Sequence, residues 1–345
     1  MRIDSVQARL PANIVSNEEV IDIIRSRSQE GFSGDLDATL AYILRTLEKS
    51  GSATRRWLGP DEQPITLLQE AFNDAIGEAD ISREDVDLLI YVGVGRGFVE
   101  PAGAYMVAHA LEIPGIECFD ILDACMSWVR ALALAHDLLS VGRYKHIAVV
   151  NQEFNMRPGG MVAPNFALTS PEDVAWTFPS YTLGEAATVT LLSASEKKWT
   201  FNFRSRPDLA PLCTIPLNNY GLFCGVPEET LSGGANRFTS FGVEMHRLGM
   251  TDTKAVLEAL DGEQHKLDVI FPHASSKYMW DKAAARCGVA GKLHHIYQDT
   301  GNLVSASVPG GIASALAKGE LSRGDQVGFW VGSAGMSFAS VHHEF

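Results

Sequence analysis

Residues 118–150 decide the fold of this chain, and they read CFDILDACMSWVRALALAHDLLSVGRYKHIAVV. The pattern predicts a strand at 118–122, a helix at 126–141 that Gly142 ends, and a second strand at 146–150. Both strands are mostly apolar. Such strands alternating with helices are typical of a parallel sheet that is covered on both faces.

The second half of the chain repeats this order of elements. It contains predicted strands at 267–272 and 326–331 and predicted helices at 276–287 and 307–318, and an earlier strand at 87–94 completes the first half. The repeat predicts two duplicated α/β halves, residues 1–196 and 197–345, whose loops meet at one face. In open α/β sheets, ligands bind at the carboxyl ends of the strands.

Residues 197–237 follow neither pattern clearly. They contain Phe201-Asn202-Phe203-Arg204 and then a loop-like stretch with Pro207, Pro211, Pro216 and Pro227. We expect this region to begin the second half and to shape the entrance for substrate.

Charge and composition exclude several classes of function. The 345 residues include 28 Lys and Arg against 42 Asp and Glu, a formal net charge of −14 that argues against binding nucleic acid. The N-terminus lacks a secretory signal, and no apolar run reaches the ~20 residues of a membrane span. The five cysteines include no C-x-x-C pair, which argues against disulfides or a zinc site. We expect a cytoplasmic enzyme with reduced thiols and no bound metal.

Cys125 is the candidate nucleophile. It lies between a predicted strand and the helix at 126–141. The unpaired N–H groups and the dipole at a helix N-terminus stabilise a thiolate, which is the form that attacks an acyl group. Composition alone favours a different interpretation, a small buried thiol packed against the sheet. The surrounding motifs must decide between the two.

Three further motifs follow predicted strands or precede predicted helices. His273 comes directly after the strand at 267–272, where it could polarise a thioester carbonyl or move a proton, or serve as an ordinary loop histidine. Asn302 follows Gly301 and is either a neutral donor or a turn residue. Gly332-Ser333-Ala334-Gly335 is a small-residue loop whose backbone N–H groups can approach a substrate oxygen.

In order and spacing, these motifs resemble the ketoacyl-acyl-carrier-protein synthase III branch of the thiolase superfamily over nearly the whole chain. The matching segments are Ala124-Cys125, Pro272-His273, Gly301-Asn302 and Ser333-Ala334-Gly335. The resemblance implies an α/β thiolase fold, with two duplicated βαβαβ-type halves packed as a five-layered αβαβα body. It also implies a triad of Cys125, His273 and Asn302, and an oxyanion hole made by the N–H groups of Cys125 and Ala334.

The chain departs from that family at several positions. His273-Ala274-Ser275-Ser276 stands for the family's His-Gln-Ala-Asn, and Leu183-Gly184-Glu185-Ala186 stands for its Gly-Asp-Gly-Ala turn. Tyr278 occupies the place of a docking arginine, and Ser333 and Ala334 stand where glycine is common. These differences indicate a specialised relative in fatty-acid or polyketide secondary metabolism.

Glu100, in Phe98-Val99-Glu100-Pro101-Ala102-Gly103-Ala104, narrows the reaction. The segment resembles the Glu-Pro segment of head-to-head condensing enzymes of olefin and α-pyrone biosynthesis. In those relatives the glutamate crosses a dimer interface and serves as the base for a Claisen condensation. A hydrophobic channel would raise the pKa of such a carboxyl group. The alternative is a solvated loop carboxylate.

Arg55-Arg56-Trp57 resembles the family's arginine-rich segment near the pantetheine tunnel. The resemblance predicts that these residues contact the nucleotide of coenzyme A. A surface basic pair beside a partly buried tryptophan is the alternative.

The sequence thus predicts a condensing acyltransferase of the 3-oxoacyl synthase III type that forms C–C bonds through an acyl thioester on Cys125. Acyl-coenzyme A or acyl-carrier-protein thioesters are the expected substrates, with no separate cofactor, and the family implies a homodimer. Two alternatives stay open. One is an acyltransferase that makes esters or amides, and the other is a catalytically silent subunit of a heterodimer.

Overall fold

The computed structural model describes residues 1–225 and 232–345, so Pro227 lies outside the described residues. The strands are β1 (Arg2–Arg9), β2 (Ile14–Ser16), β3 (Thr54–Arg56), β4 (Leu88–Val92), β5 (Glu117–Ile121), β6 (His146–Glu153), β7 (Ala186–Ser193), β8 (Trp199–Ser205), β9 (Cys213–Thr214), β10 (Thr239–Ser240), β11 (Val269–Pro272), β12 (Gln326–Ser333) and β13 (Ser337–Glu344). The helices are α1 (Asn17–Ser28), α2 (Leu36–Ser50), α3 (Pro64–Ala79), α4 (Gly103–Ala110), α5 (Ser127–Ser140), α6 (Val174–Thr177), α7 (Tyr220–Cys224), α8 (Gly242–Glu258), α9 (Lys277–Arg286), α10 (Tyr297–Thr300) and α11 (Ser307–Ala317).

The first half of the chain forms a five-stranded sheet in the order β1-β7-β6-β4-β5. Its centre is parallel, because β4 pairs in parallel with both β5 and β6, while β7 runs antiparallel between β6 and β1. Every residue of β4 is buried, as expected of a strand that is covered on both faces. Strand β5 is left at one edge of the sheet.

The second half forms a four-stranded sheet in the order β11-β12-β13-β8. Strands β11 and β12 are parallel, and β13 pairs antiparallel with β12 and β8. Strand β8 includes Phe201–Arg204, a stretch whose secondary structure the sequence pattern did not predict. It opens the second sheet, as expected of residues 197–237.

Helices separate and cover the two sheets in five layers. Helices α5 and α11 lie between the sheets, since their apolar residues share one core with β4 and with β12. Helices α3 and α4 cover the outer face of the first sheet, and α8 and α9 cover the outer face of the second. No helix in the described parts of the chain is long and apolar enough to cross a membrane.

Predicted and observed boundaries differ mainly where a turn carries a candidate residue. The helix predicted at 126–141 is α5 preceded by a 3₁₀ turn, Ala124–Met126. The helix predicted at 276–287 is α9, and the Ser276 hydroxyl caps it by accepting from the Met279 N–H at 3.4 Å. Strand β12 continues two residues past the predicted end, to Ser333.

The two halves are joined tightly at Gly184. Its N–H donates to the Asn302 carbonyl oxygen at 2.9 Å, and the Asn302 N–H donates to the Thr182 carbonyl oxygen at 2.7 Å. A Cβ on Gly184 would lie 1.8 Å from the Thr300 carbonyl oxygen. Only glycine allows the two backbones to approach this closely.

We therefore expect Gly184→Ala to destabilise the fold by more than ~2 kcal/mol, because neither backbone can move without breaking the junction. Gly77→Ala in α3 is the matched control, since nothing lies within 4 Å of its Cβ position. That change lowers the conformational entropy of the unfolded chain, so it should stabilise the fold by up to ~1 kcal/mol. Urea unfolding followed by circular dichroism measures both, and a Gly184→Ala midpoint equal to wild type would contradict the junction's role.

Candidate active site

Cys125 lies in a single 3₁₀ turn between β5 and α5. The preceding residue, Ala124, has a φ of 46°, a left-handed conformation that costs a non-glycine residue about 1–2 kcal/mol. The Ser127 hydroxyl closes the turn, because it donates to the Ala124 carbonyl oxygen at 2.7 Å and accepts from the Asp123 N–H at 2.8 Å. Strain that is held in place by surrounding bonds is typical of a functional site.

Burial is the main influence on the Cys125 thiol and raises its pKa well above the ordinary value. The nearby Cys213 thiol and Glu153 carboxyl raise this pKa further, while a hydrogen bond with the Ser333 hydroxyl lowers it. This corrects the expectation that the helix N-terminus dominates. Cys125 is half-buried on the cavity wall, and its removal from bulk water disfavours the charged form of the thiol.

His273 follows β11 and is 4% exposed. Burial, and then the neighbouring His246, lower its pKa to about 3. The Ser307 hydroxyl donates to the Val304 carbonyl oxygen at 2.8 Å, so it accepts in its 3.2 Å contact with His273 Nδ1. The ring is then the Nδ1–H tautomer, and the Nε2 lone pair is left to accept a proton. The tautomer leaves Nε2 of His273 free for proton transfer, while the low pKa makes the ring a weak base in the resting site.

Asn302 presents a neutral donor. Its Oδ1 accepts from the Val304 N–H at 2.8 Å, which orients the amide and leaves its NH₂ group directed away from that bond. The preceding Gly301 has a φ of 72°, and a Cβ there would lie 2.6 Å from the Thr182 carbonyl oxygen. Backbone geometry thus requires glycine at position 301, and Asn302 supplies the donor.

The loop predicted to complete an oxyanion hole joins β12 to β13. Ala334 is the first residue of this loop and lines the same cavity as Cys125. The following Gly335 has a φ of 114°, which favours glycine. Within the residues that the structure describes, the Ala334 N–H donates to no backbone acceptor. It is therefore available to a substrate oxygen, while its pairing with the Cys125 N–H stays a prediction.

A buried carboxylate that sequence reasoning missed supports this site. Glu153, at the end of β6, accepts from the N–H groups of Val94 and Gly95 at 3.1 and 3.0 Å and from Asn155 Nδ2 at 2.9 Å. It also accepts from the hydroxyl of Ser305 in the second half. Burial raises its pKa. A polar Asn-Gln-Glu run closing an apolar strand was the signal in the sequence.

Cys125, His273 and Asn302 lie on the wall of one cavity of about 1340 Å³. The three residues are far apart in sequence, and the structure brings them together at the face where the two halves meet. Apolar side chains from both halves line the remainder, including Val162, Val174, Phe178, Phe238, Met250, Met336 and Phe338. The predicted entrance region contributes Cys213, Thr214 and Ile215.

Basic side chains gather on the same cavity, although the chain as a whole is acidic. They are exposed and belong to α2, α8 and α9: Arg45, Lys49, Arg247, Lys282 and Arg286. None of the five is in an ion pair with a described residue, and Glu172 is the sole acidic residue among the described lining residues. An anionic group on a ligand would find unpaired positive charge here.

Arg55, Arg56 and Trp57 do not line the cavity, which corrects the predicted contact with coenzyme A. Arg55 is fully buried and donates to Asn17 Oδ1 at 2.7 Å and to the Val15 carbonyl oxygen at 3.2 Å. The Trp57 indole N–H donates to the Leu183 carbonyl oxygen at 2.7 Å. A guanidinium can be buried only where fixed acceptors surround it, so this segment instead braces the turn before Gly184.

Glu100 is exposed on the loop before α4 and does not line the cavity of its own chain. Within residues 1–225 and 232–345, no group of three acidic, histidine or cysteine side chains is placed to hold a metal ion.

His246 is a second imidazole on the cavity wall, and sequence reasoning missed it. It lies on α8, and burial lowers its pKa to about 4. Protonation of His246 would disfavour protonation of His273, so the two rings are electrostatic neighbours. Nothing in the helical pattern of α8 distinguishes it from an ordinary surface histidine.

The lowered pKa of His246 predicts how the protein responds to acid. Its ordinary pKa is near 6.5, so below that pH the unfolded chain binds a proton that the folded chain refuses. Stability should fall as pH drops from about 6.5 towards 4, and His246→Gln should flatten that fall. Thermal unfolding between pH 7 and pH 4.5 measures the slope. His109→Gln, at an exposed position, should follow wild type, and identical slopes in all three proteins would refute the assignment.

Solved structures with the same architecture define the fold. The chain superposes on Xanthomonas campestris OleA, a cysteine-to-serine variant with bound lauric acid and lauroyl-CoA, with a TM-score of 0.81 at 19% identity over 99% of this chain and 98% of that one. It superposes on 3-oxoacyl-[acyl-carrier-protein] synthase III of Aquifex aeolicus with a TM-score of 0.75 at 18% identity over 100% and 99%. The predicted thiolase fold is confirmed.

Sequence comparison then places the chain within that fold. Residues 257–345 match the family model for the C-terminal part of 3-oxoacyl-[acyl-carrier-protein (ACP)] synthase III. The chain is 26% identical over 303 residues to the β-ketoacyl-[acyl-carrier-protein] synthase III of Fusobacterium nucleatum, which covers 85% of this chain and 87% of that one. It is 25% identical over 330 residues to the Clostridium perfringens enzyme, covering 92% and 90%. The chain is therefore similar to the synthase III enzymes, and the predicted resemblance is confirmed.

Proposed function

We propose that this protein condenses two acyl thioesters, with Cys125 carrying the first acyl group as a thioester. The observation that carries the proposal is the meeting of Cys125, His273 and Asn302 on one cavity wall. A nucleophile, a proton acceptor and a neutral donor are the groups that acyl transfer followed by a Claisen condensation requires.

In the first step the Cys125 sulfur attacks the thioester carbonyl carbon. The new C–S bond forms as the bond to the donor thiol breaks, and the proton of Cys125 passes through His273 Nε2 to the departing thiolate. A thiolate beside the ring favours the imidazolium, so the low pKa of His273 in the resting site rises when the charge appears. The N–H groups of Cys125 and Ala334 receive the carbonyl oxygen as it becomes negative.

In the second step, a carbanion of the second thioester attacks the acyl carbonyl carbon on Cys125 and releases the sulfur. The Asn302 NH₂ group donates to the enolate oxygen of this second thioester, and His273 Nε2 is again free to accept a proton. Without a carboxylate to lose, the second thioester must give up an α-proton to a base. We assign that task to Glu100 of a second copy of the chain.

The basic side chains on the cavity support a donor with an anionic carrier. Five exposed, unpaired cationic residues suit the phosphates of coenzyme A, or the phosphopantetheine and acidic surface of a carrier protein. The apolar walls suit fatty acyl chains, and a cavity of about 1340 Å³ exceeds the ~300–1,000 Å³ of common ligand pockets. We infer a role in specialised fatty-acid or polyketide metabolism, with no cofactor beyond the thioesters themselves.

Reduced cysteines support a cytoplasmic location. Cys118, Cys125, Cys213 and Cys287, the cysteines whose side chains are described, are all unpaired. Unpaired thiols are typical of a reducing compartment.

Cys125→Ala should abolish acyl loading, because Cys125 is the one thiol among the described lining residues that directly follows a left-handed residue. Incubation with acyl-coenzyme A followed by intact-protein mass spectrometry measures the adduct. Cys213→Ala, which removes the other thiol on the same wall, should keep the adduct. Loading that survives in the Cys125 variant would show that the nucleophile lies elsewhere. A panel of acyl and malonyl thioesters in the same assay separates condensation from simple acyl transfer.

An apolar patch at the free edge of the first sheet supports a homodimer. Its members flank the edge strand β5 and are well exposed: Phe98 (45%), Val99 (82%), Tyr105 (58%), Met106 (41%) and Leu122 (60%). Exposed apolar residues beside an unpaired edge strand are typical of a protein–protein interface. Glu100 lies within this patch, so pairing of two edges would carry it towards the partner's cavity.

Mixing two inactive variants tests whether Glu100 acts across that interface. Glu100→Ala should keep acyl loading on Cys125 and lose condensation, because the α-proton is no longer removed. In a mixed dimer with Cys125→Ala, one site combines an intact Cys125 with an intact Glu100 from the other subunit. Condensed product should therefore return on mixing.

Two outcomes would contradict this assignment. Normal product formation by Glu100→Ala alone would remove the residue from the mechanism. Mixed dimers that load acyl groups without forming product would show that Glu100 acts within its own chain. Light scattering confirms that subunits exchange, and Glu112→Ala, an exposed carboxylate beyond α4, serves as the charge-matched control.

A further inference from the structure

Ser333 is the last residue of β12 and is 2% exposed, yet it reaches the turn that carries the nucleophile. Its Oγ accepts from the Met126 N–H at 3.2 Å and lies 3.4 Å from the Asp123 carbonyl oxygen. Asp123 and Met126 flank Cys125, and the nearby Ser333 hydroxyl lowers the pKa of the Cys125 thiol. A side chain of the second half thus contacts both sides of Cys125, a residue of the first half.

The hydroxyl has one proton and two acceptors that compete for it. The Asp123 carbonyl is a poor partner, because O–H···O bonds are usually ~2.5–3.0 Å long and this contact is 3.4 Å. A thiolate is a much better one, since hydrogen bonds to charged groups are about twice as strong as neutral ones. Ionisation of Cys125 would therefore turn the hydroxyl towards the sulfur.

The groups around the sulfur show why such a donor matters. Burial, the Cys213 thiol on β9 and the Glu153 carboxyl at the end of β6 all disfavour a negative charge there. His273 and His246 are held neutral by burial and supply no positive charge in the resting site. Against these stand only the Ser333 hydroxyl and the backbone N–H of Cys125 among the described neighbours.

We propose that Ser333 is a positioning residue that stabilises the Cys125 thiolate for acylation. The assignment rests on the proposed function. During acylation the hydroxyl donates to the sulfur as its proton leaves for His273. Once the C–S bond forms, the charge disappears and the hydroxyl returns to the Asp123 carbonyl oxygen. Condensation on an enzyme that is already acylated does not need it.

Alkylation of Cys125 by iodoacetamide tests the proposal without any acyl substrate. The rate of alkylation is measured at the peptide level by mass spectrometry from pH 6 to pH 10. In Ser333→Ala and Ser333→Gly it should be about tenfold lower at each pH below the midpoint of the thiol titration. A tenfold change corresponds to the loss of one charge-assisted hydrogen bond. Ser333→Thr keeps the hydroxyl and should restore the profile. Single-turnover acylation should fall by the same factor, while condensation by pre-acylated enzyme stays at the wild-type rate.

Ser337→Ala is the matched control. Ser337 pairs with Ser333 across the same hairpin, is buried, and has a hydroxyl without a hydrogen-bond partner among the described residues. This variant should alkylate like wild type. A Ser333→Ala profile that matches wild type, or that changes only as much as Ser337→Ala does, would overturn the proposal and leave Ser333 a packing role. A shifted profile in an enzyme that forms no acyl adduct would instead overturn the proposed function.

Discussion

The buried carboxylate of Glu153 imposes the constraint on which the site depends. A carboxyl group that is buried away from water needs hydrogen-bond donors from the protein for its oxygens. The donors to Glu153 come from both halves of the chain: the loop after β4, Asn155, and Ser305. Ser305 follows Asn302 closely in the chain, so its hydrogen bond to Glu153 holds the Asn302 loop against the first sheet. Backbone bonds at Gly184 then fix the same loop laterally.

The wall of the cavity combines neutral buried groups with exposed basic side chains. Burial keeps His273 and His246 uncharged and disfavours the Cys125 thiolate, so the resting site stores little charge. In the reaction that we propose, negative charge develops beside N–H donors, and a dry site strengthens each of those hydrogen bonds. Exposed basic residues at α2, α8 and α9 supply the attraction that an acidic protein otherwise lacks.

The edge strands β8 and β5 differ in what they contact near the site. Strand β8 pairs with β13 and carries the chain from one half into the other, which places the following segment, with Cys213, over the cavity. Strand β5 has no partner on its outer side and is flanked by apolar side chains and Glu100. The edge strand β5 leads directly into the turn of Cys125, so the free edge and the cavity are close to each other in the chain.

Local pattern was sufficient to predict from sequence the alternation of strands and helices, the duplicated halves, and the turns of Cys125, His273 and Asn302. These features depend on apolar periodicity and on glycines that permit particular backbone shapes. Sequence erred where the environment of a side chain decides its role. Arg55 has the same local pattern whether it faces solvent or Asn17, His246 looks like any helix-surface histidine, and the thiol of Cys125 is governed more by burial than by its helix. Burial and partners across the two halves arise only from tertiary packing, because they join residues far apart in the chain.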